Sequence, residues 1–313
     1  MDDSTVGVAG PALTDQILSA RAATEIERPT FKPLHGRSIP RADALRSMQA
    51  IGRDVRAAMQ KPIPEAVDFS GPWPHVGHVY LRDLILGGDP YRLRFLMDRI
   101  LELTPKLTWA VIAIGAAVPL GLRPGASAIA TLTANASTYT DRRYAMGLYR
   151  RTAAPVCFTV STLVANALWL GAPFDDGMPN RNILYEALRL LPPSWNILRN
   201  ASPEYPTLDS RIGPNDDVLI LPLVSHRDPA LWDDADEFRP DRWDSLNPDD
   251  QPGYLPFGHA SERCWGQHMV IPLAEMLLNI LRNNGLAVSP QQTTAEVPLA
   301  GLLGVSEVTM TRQ

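Results

Sequence analysis

The stretch of sequence that constrains this chain most reads Phe257-Gly258-His259-Ala260-Ser261-Glu262-Arg263-Cys264-Trp265-Gly266. It places a cysteine in a glycine-bearing loop directly before residues 267–283, whose apolar pattern predicts a closing helix. Backbone N–H groups and the dipole at the start of a helix favour a thiolate over a thiol, and a thiolate is a good iron ligand. Cys264 is therefore a candidate metal ligand. Phe257 would shield its sulfur from water, and Gly258 and Gly266 would let the backbone approach a bound group.

Two other interpretations of Cys264 stay open at this point. Free cysteines are among the most buried residue types, so Cys264 would then be an inert core side chain. His259 and His268 lie close to it in sequence and suggest zinc, although a structural zinc ion takes four ligands and no second cysteine pair is present. The other cysteine, Cys157, is far away in sequence, so a secreted disulfide framework is not indicated.

The loop resembles the haem-binding loop of the cytochrome P450 family, which carries Phe-x-x-Gly-x-x-x-Cys-x-Gly before the same kind of helix. Phe257, Cys264 and Gly266 match this pattern, whereas Ala260 stands where the family has its middle glycine. The resemblance implies that Cys264 is the axial thiolate ligand of the iron of haem b. It also implies a mainly α-helical fold with a small β-sheet.

A set of three charges strengthens the resemblance. Glu186 and Arg189 lie at i and i+3 of a helix predicted over residues 180–191. In the family such a Glu-x-x-Arg pair is joined by the Arg of a Phe-x-Pro-x-Arg segment, which residues 238–242 fit. Because removing one partner of a buried ion pair costs about 3–5 kcal/mol, three buried charges make sense only as a network. We expect Glu186, Arg189 and Arg242 to be structural and to hold this segment under the haem.

Four basic residues are further candidates for haem contacts by the same resemblance. Arg199 matches the family position whose guanidinium meets a haem propionate, a pairing that suits bidentate geometry. Arg263 stands next to Glu262, which holds the place where the family often has His or Arg. Arg28 or Lys32 takes the place of the basic residue on the family's third helix.

The apolar run at residues 152–170 predicts a central helix that departs from the family pattern. Family members that cleave dioxygen usually carry an acid and a threonine here, which guide protons. Phe158 stands in place of the acid, and Thr159 retains the hydroxyl. Thr159 is therefore a candidate catalytic residue; the alternative is a hydroxyl bonded to its own helix backbone.

Hydrophobic periodicity and turn residues predict the remaining elements. Asn180 is a plausible N-cap for the helix that carries Glu186. Further helices are expected at residues 13–24, 42–59 and 79–86, and strands of one small sheet at residues 194–199, 205–211 and 218–223.

Composition favours small-molecule chemistry in a reducing cytoplasm. The 313 residues carry a net charge of −5, which lacks the basic footprint of a nucleic-acid or anionic-membrane binder. The first residues lack the basic start and apolar run of a signal peptide, so neither export nor a membrane anchor is expected. We expect one domain over residues 1–313, with residues 1–12 as a flexible tail, and the resemblance implies a family fold shortened at its N-terminal end.

The resemblance implies an oxygen-dependent monooxygenase that acts on a small or carrier-bound organic substrate in secondary metabolism. Ferredoxin and ferredoxin reductase would then supply electrons, and a protein partner could complete a substrate pocket that the shortening leaves open. Two alternatives remain. The chain is a haem-thiolate peroxygenase, isomerase or dehydratase that needs no reductive oxygen activation, or it is a degenerate haem-binding protein that serves a partner.

Overall fold

A computed structural model of the chain describes residues 4–24, 41–62, 67–86, 144, 148, 152–260, 263–264, 266–299 and 301–312. The chain divides into two compact units. One consists of Met1–Glu27, Phe69–His75 and Thr159–Gln313, and the other consists of Arg28–Asp68 and Val76–Phe158. The cysteine loop and the three predicted charges all belong to the first unit. One domain over the whole chain stays a prediction.

Helices dominate the described residues, so the prediction of a mainly helical chain is confirmed. The sequence places the long helices correctly and misses some of their ends by a few residues. The long helices are α1 (Pro11–Thr24), α2 (Arg41–Met59), α3 (His75–Leu86), α4 (Ala154–Gly171), α5 (Asn180–Leu190) and α8 (Gln267–Asn283). Between α5 and α8 lie three short elements, which are α6 (Tyr205–Leu208), α7 (Pro222–Ser225) and a 3₁₀ helix (Pro240–Asp244).

Within the described residues, the strands form two three-stranded sheets, whereas the sequence predicts one. In the first, β1 (Thr5–Val8) pairs in parallel with β4 (Asp217–Ile220), which pairs antiparallel with β3 (Ile197–Arg199). In the second, β6 lies between two antiparallel partners. The strands of this second sheet are β2 (Gly71–Trp73), β5 (Leu286–Val288) and β6 (Val308–Arg312).

The predicted flexible tail is wrong for residues 5–8, which form β1. The strand is held because Val8, only 4% exposed, reaches a hydrophobic cluster that includes Ile17 and Tyr205. This burial stabilises an otherwise short strand, since removing apolar surface from water is favourable. Residues 5–8 are thereby held in the first sheet, next to β4.

Two local predictions also need correction. The strand expected at residues 205–211 begins instead as α6, because Pro206 cannot donate to a sheet ladder but suits the first turn of a helix. Asn180 is the first residue of α5 rather than its cap, which is Pro179. The Asn180 side chain instead accepts a hydrogen bond from Arg282 Nη1 at 2.7 Å.

The central helix α4 is apolar on all sides, which is typical of a buried helix. By length and composition it could cross a membrane, but about two thirds of it is buried inside the protein. Its buried Asn166 donates to the carbonyl oxygens of Leu191 and Leu303 and accepts from the N–H of Val305. In the same unit, α8 packs on α5 and on β5 and so brings the end of the cysteine loop to the helix that carries Glu186.

Candidate functional site

The cysteine loop folds back on itself through backbone hydrogen bonds. The N–H of Gly258 donates to the Leu255 carbonyl at 3.1 Å, and the N–H of Cys264 donates to the Phe257 carbonyl at 2.8 Å. Gly258 has a φ of +83°, a left-handed conformation that glycine adopts without strain. The loop therefore closes into a short arch that ends at Cys264.

The thiol of Cys264 is exposed, and its sulfur accepts a hydrogen bond from the N–H of Gly266 at 3.4 Å. Helix α8 begins at Gln267, with Gly266 as its N-cap. Cys264 thus lies just before the start of the helix, next to the N–H of Gly266. The arrangement offers an accessible sulfur with one hydrogen-bond donor already in place.

On helix α5, Glu186 accepts hydrogen bonds from two guanidinium groups. Arg189 donates to it twice, from Nη2 at 2.8 Å and from Nε at 3.1 Å, and Arg242 donates from Nε at 3.1 Å. The side chains of Glu186 and Arg189 are fully buried, and that of Arg242 is 8% exposed. The structure therefore brings the three predicted charges together.

Two further groups complete the shell around this carboxylate. The backbone N–H of Arg239 and the indole N–H of Trp243 each donate to Glu186 at 2.9 Å. A fully buried carboxylate is stable when its lone pairs are satisfied in this way. Glu186 thus helps to join helix α5 to the segment that contains the 3₁₀ helix.

Arg189 also ties this shell to the chain that follows the first sheet. Its Nη atoms donate to the carbonyl oxygens of His226, Ala235 and Glu237 at 2.8, 2.5 and 2.8 Å. The guanidinium carbon lies 5.2 Å from the ring centre of Trp232, within the range of a cation–π contact. Arg189 therefore anchors three backbone positions in the segment between the first sheet and the cysteine loop.

His226 was not a sequence candidate, yet it lies between the charge network and the loop. Its Nδ1 is 3.2 Å from the Arg189 carbonyl oxygen, and its Nε2 is 3.0 Å from the backbone nitrogen of Leu255. Burial, and secondarily the charge of Arg189, lowers the pKa of His226 to about 3. A lone histidine in a turn-rich segment carries no local signal for this role.

The other predicted site residues lie on separate elements or outside the described residues. Arg199 lies on β3, half-buried, and its Nη1 donates to the Leu198 carbonyl at 3.1 Å. Arg263, within the loop, forms an ion pair with Asp249. Thr159 is half-buried on α4. Arg28 and Lys32 lie outside the described residues.

The two alternatives for Cys264 lose support. The thiol is exposed, so Cys264 is not an inert core residue, whereas Cys157 is fully buried and burial raises the pKa of its thiol to about 12. His259 lies 2.7 Å from an Asp15 carboxylate oxygen. In the part of the chain that the structure describes, no cluster of three His, Cys, Asp or Glu side chains could hold a metal ion.

A sequence model described as Cytochrome P450 matches residues 180–303, the part of the chain that carries Glu186, Arg242 and Cys264. Over these residues the chain is similar to the cytochrome P450 family. Its relatives include cyclooctatin synthase of Streptomyces melanosporofaciens, 42% identical over 88 residues, which are 28% of this chain and 19% of the relative. Another is the cytochrome P450 monooxygenase pytD of Aspergillus terreus, 41% identical over 66 residues, which are 19% of this chain and 18% of the relative. The chain matches only about a fifth of the length of these P450 relatives.

Solved P450 structures resemble the chain over almost its whole length. The crystal structure of HmtT, involved in himastatin biosynthesis, matches 98% of this chain and 91% of that one with a TM-score of 0.61 and 17% identity. The likeness shows that the fold is that of a P450, as the sequence predicts.

Haem b is the cofactor of the P450 family, and the described residues fit it. The fit rests on an exposed thiol at the end of a closed loop, with a backbone N–H already directed at its sulfur. A thiolate in this position can ligate iron. Cys264 would hold the iron, with Phe257, Gly258 and Gly266 forming the surrounding loop.

Proposed function

We propose that this chain is a P450-type haem-thiolate monooxygenase that oxidises a small organic substrate in secondary metabolism. The observation that carries the proposal is the exposed Cys264 sulfur, which accepts the Gly266 N–H at the end of a closed loop. The charge network around Glu186 supports it, because three charges are kept buried to brace the chain that leads into this loop.

In this reaction each of four residues would have its own role. Cys264 would ligate the iron as a thiolate, and the Gly266 N–H, which donates to its sulfur, would stabilise the negative charge. Arg199 would pair with a haem propionate, and the Thr159 hydroxyl on α4 would hold a proton for the reaction. When bound, the haem supplies the metal centre at which dioxygen is reduced and one oxygen atom is transferred to the substrate.

The test is oxygen incorporation by haem-reconstituted protein. Surrogate ferredoxin, ferredoxin reductase and NADPH are supplied with isotopically labelled dioxygen and a panel of small organic probes. Mass spectrometry should detect products that gain one labelled oxygen atom, and Cys264→Ala should form none. Equal product from wild type and Cys264→Ala would refute the proposal.

A second candidate function is favoured by one observation at Phe158, which stands where oxygen-activating members carry an acid. The His78 ring stacks on the Phe158 ring with centroids 4.0 Å apart and an angle of 18° between the planes. An aromatic stack therefore occupies the place of the proton-guiding group. A haem-thiolate peroxygenase, isomerase or dehydratase does not need that acid. Turnover with peroxide alone, or of substrate without NADPH, would favour this function over the monooxygenase.

The partners follow from the reaction. A monooxygenase needs an electron donor, which we propose to be a ferredoxin with its reductase, and the substrate is either free or bound to a carrier protein. The net charge of −5 gives no support for nucleic acid as a partner. We propose a cytoplasmic location, where such redox partners are found.

A further inference from the structure

We propose that His226 is the positioning residue that holds the cysteine loop against the buried charge network. The inference rests on the proposed haem-thiolate site and adds to it the group that fixes where the loop begins. His226 would not touch haem or substrate. It would act through the backbone of Leu255.

The two ring nitrogens of His226 make bonds of opposite kind. Nδ1 faces the Arg189 carbonyl oxygen at 3.2 Å, so it must donate a proton to make a hydrogen bond. Nε2 faces the Leu255 N–H at 3.0 Å, so it must accept. Only the neutral imidazole that carries its proton on Nδ1 satisfies both partners at once.

The surroundings keep the ring in this single state. His226 is fully buried, and its own carbonyl accepts a hydrogen bond from Arg189 Nη1. The Tyr254 ring packs against it with centroids 5.0 Å apart, and the Tyr254 hydroxyl donates to the Tyr185 carbonyl at 2.9 Å. The ring therefore cannot turn away without leaving buried polar groups unpaired, which is costly.

A series of hydrogen bonds, connected through the backbone, runs from this ring to Cys264. The Leu255 N–H donates to His226, and the Leu255 carbonyl accepts from Gly258. Phe257 then accepts from the N–H of Cys264, whose sulfur accepts from Gly266. Apart from the bond to the Cys264 sulfur, the hydrogen bond from Leu255 to His226 is the one in this series that involves a side chain. A substitution at His226 can therefore remove it.

Two conservative variants separate the two bonds of the ring. Asn places its amide where Nδ1 lies and so keeps a donor for the Arg189 carbonyl, but it does not reach Leu255. Gln extends to the position of Nε2 and keeps an acceptor for Leu255. If His226 positions the loop, His226→Asn should loosen it and His226→Gln should not. If His226 merely fills the core, the two variants should behave alike.

The experiment is amide hydrogen exchange on the apoprotein, followed by mass spectrometry of peptides. In His226→Asn, amides in residues 254–260 should exchange about tenfold faster than in wild type, as expected for the loss of one hydrogen bond. His226→Gln should exchange within about twofold of wild type, and residues 273–282 of α8 should be unchanged in both. His75→Asn, at an exposed histidine, is the matched control.

The holoprotein gives a second readout, the red-shifted Soret band of the carbon monoxide complex. Its share of the bound haem should fall in His226→Asn and be retained in His226→Gln. Equal loop exchange in the two variants, or faster exchange in the loop and α8 alike, would overturn the inference. Absence of the band in wild type would count against the proposed function, while the exchange data on apoprotein would still decide the role of His226.

Discussion

Replacing Glu186 by Gln is the sharpest test of the buried charge network. The substitution keeps the size of the side chain but removes its charge. Two guanidinium groups, those of Arg189 and Arg242, would then face a neutral amide in a site that is almost completely shielded from water. The amide would also direct N–H groups at donors, because all five hydrogen bonds to this carboxylate are accepted ones.

The magnitude follows from what the site loses. Breaking a buried ion pair by removing one partner typically costs about 3–5 kcal/mol, which is a large part of the roughly 5–15 kcal/mol that stabilises a domain. We expect Glu186→Gln to lower the free energy of unfolding by about 4 kcal/mol. Urea unfolding of the apoprotein followed by circular dichroism measures this as a lower midpoint at constant slope.

The matched control is Asp236→Asn. Asp236 also pairs with an arginine, Arg227, at 2.8 Å, but its side chain is 80% exposed. Exposed pairs contribute about 0–1 kcal/mol, so this variant should unfold close to wild type. A Glu186→Gln protein that unfolds within about 1 kcal/mol of the control would refute the claim that the network supports the fold.

Three further predictions concern the same unit. Since burial lowers the pKa of His226 to about 3 from 6.5, the unfolded chain binds this proton first on acidification. The contribution of neutral His226 to the free energy of unfolding is therefore complete above about pH 6.5 and falls, by roughly 5 kcal/mol, as the pH drops towards 3. Urea unfolding midpoints measured at several pH values should show this fall in wild type and a shallower one in His226→Gln. A Cβ at Gly171 would overlap the Phe238 ring, so Gly171→Ala should cost about 1–3 kcal/mol in the same assay. Asn166→Ala leaves two buried carbonyls and one N–H without their partner and should lower the free energy of unfolding by about 3 kcal/mol. A decrease under about 1 kcal/mol would show that these three hydrogen bonds do not stabilise the fold.

The parts of the site that sequence could predict are those encoded by short spacings. Glu186 and Arg189 lie one helical turn apart, so their pairing follows from the helix alone. The loop from Phe257 to Gly266 carries its own glycines and closes through local hydrogen bonds. The contact between Glu186 and Arg242 is long-range, and only the family resemblance predicts it.

Contacts between distant segments could not be predicted from local patterns. His226 meets Arg189 across 37 positions and Leu255 across 29, and no spacing rule connects them. Strand β1 resembles a tail because its partner β4 lies more than 200 residues further along the chain. The sheet of β2, β5 and β6 joins residues near positions 71 and 310 in the same way. In each case tertiary burial decides the structure rather than intrinsic propensity.

The most direct test of a haem-thiolate site at Cys264 uses both cysteines of the chain. Wild type, Cys264→Ala and Cys157→Ala are reconstituted with haem, reduced with dithionite and saturated with carbon monoxide, and their absorption spectra are recorded. The strongly red-shifted Soret band of a thiolate ligand should appear in wild type and in Cys157→Ala, whose cysteine is fully buried, and should be lost in Cys264→Ala. A band that persists in Cys264→Ala, or that is missing from haem-loaded wild type, would contradict the assignment of Cys264 as the iron ligand.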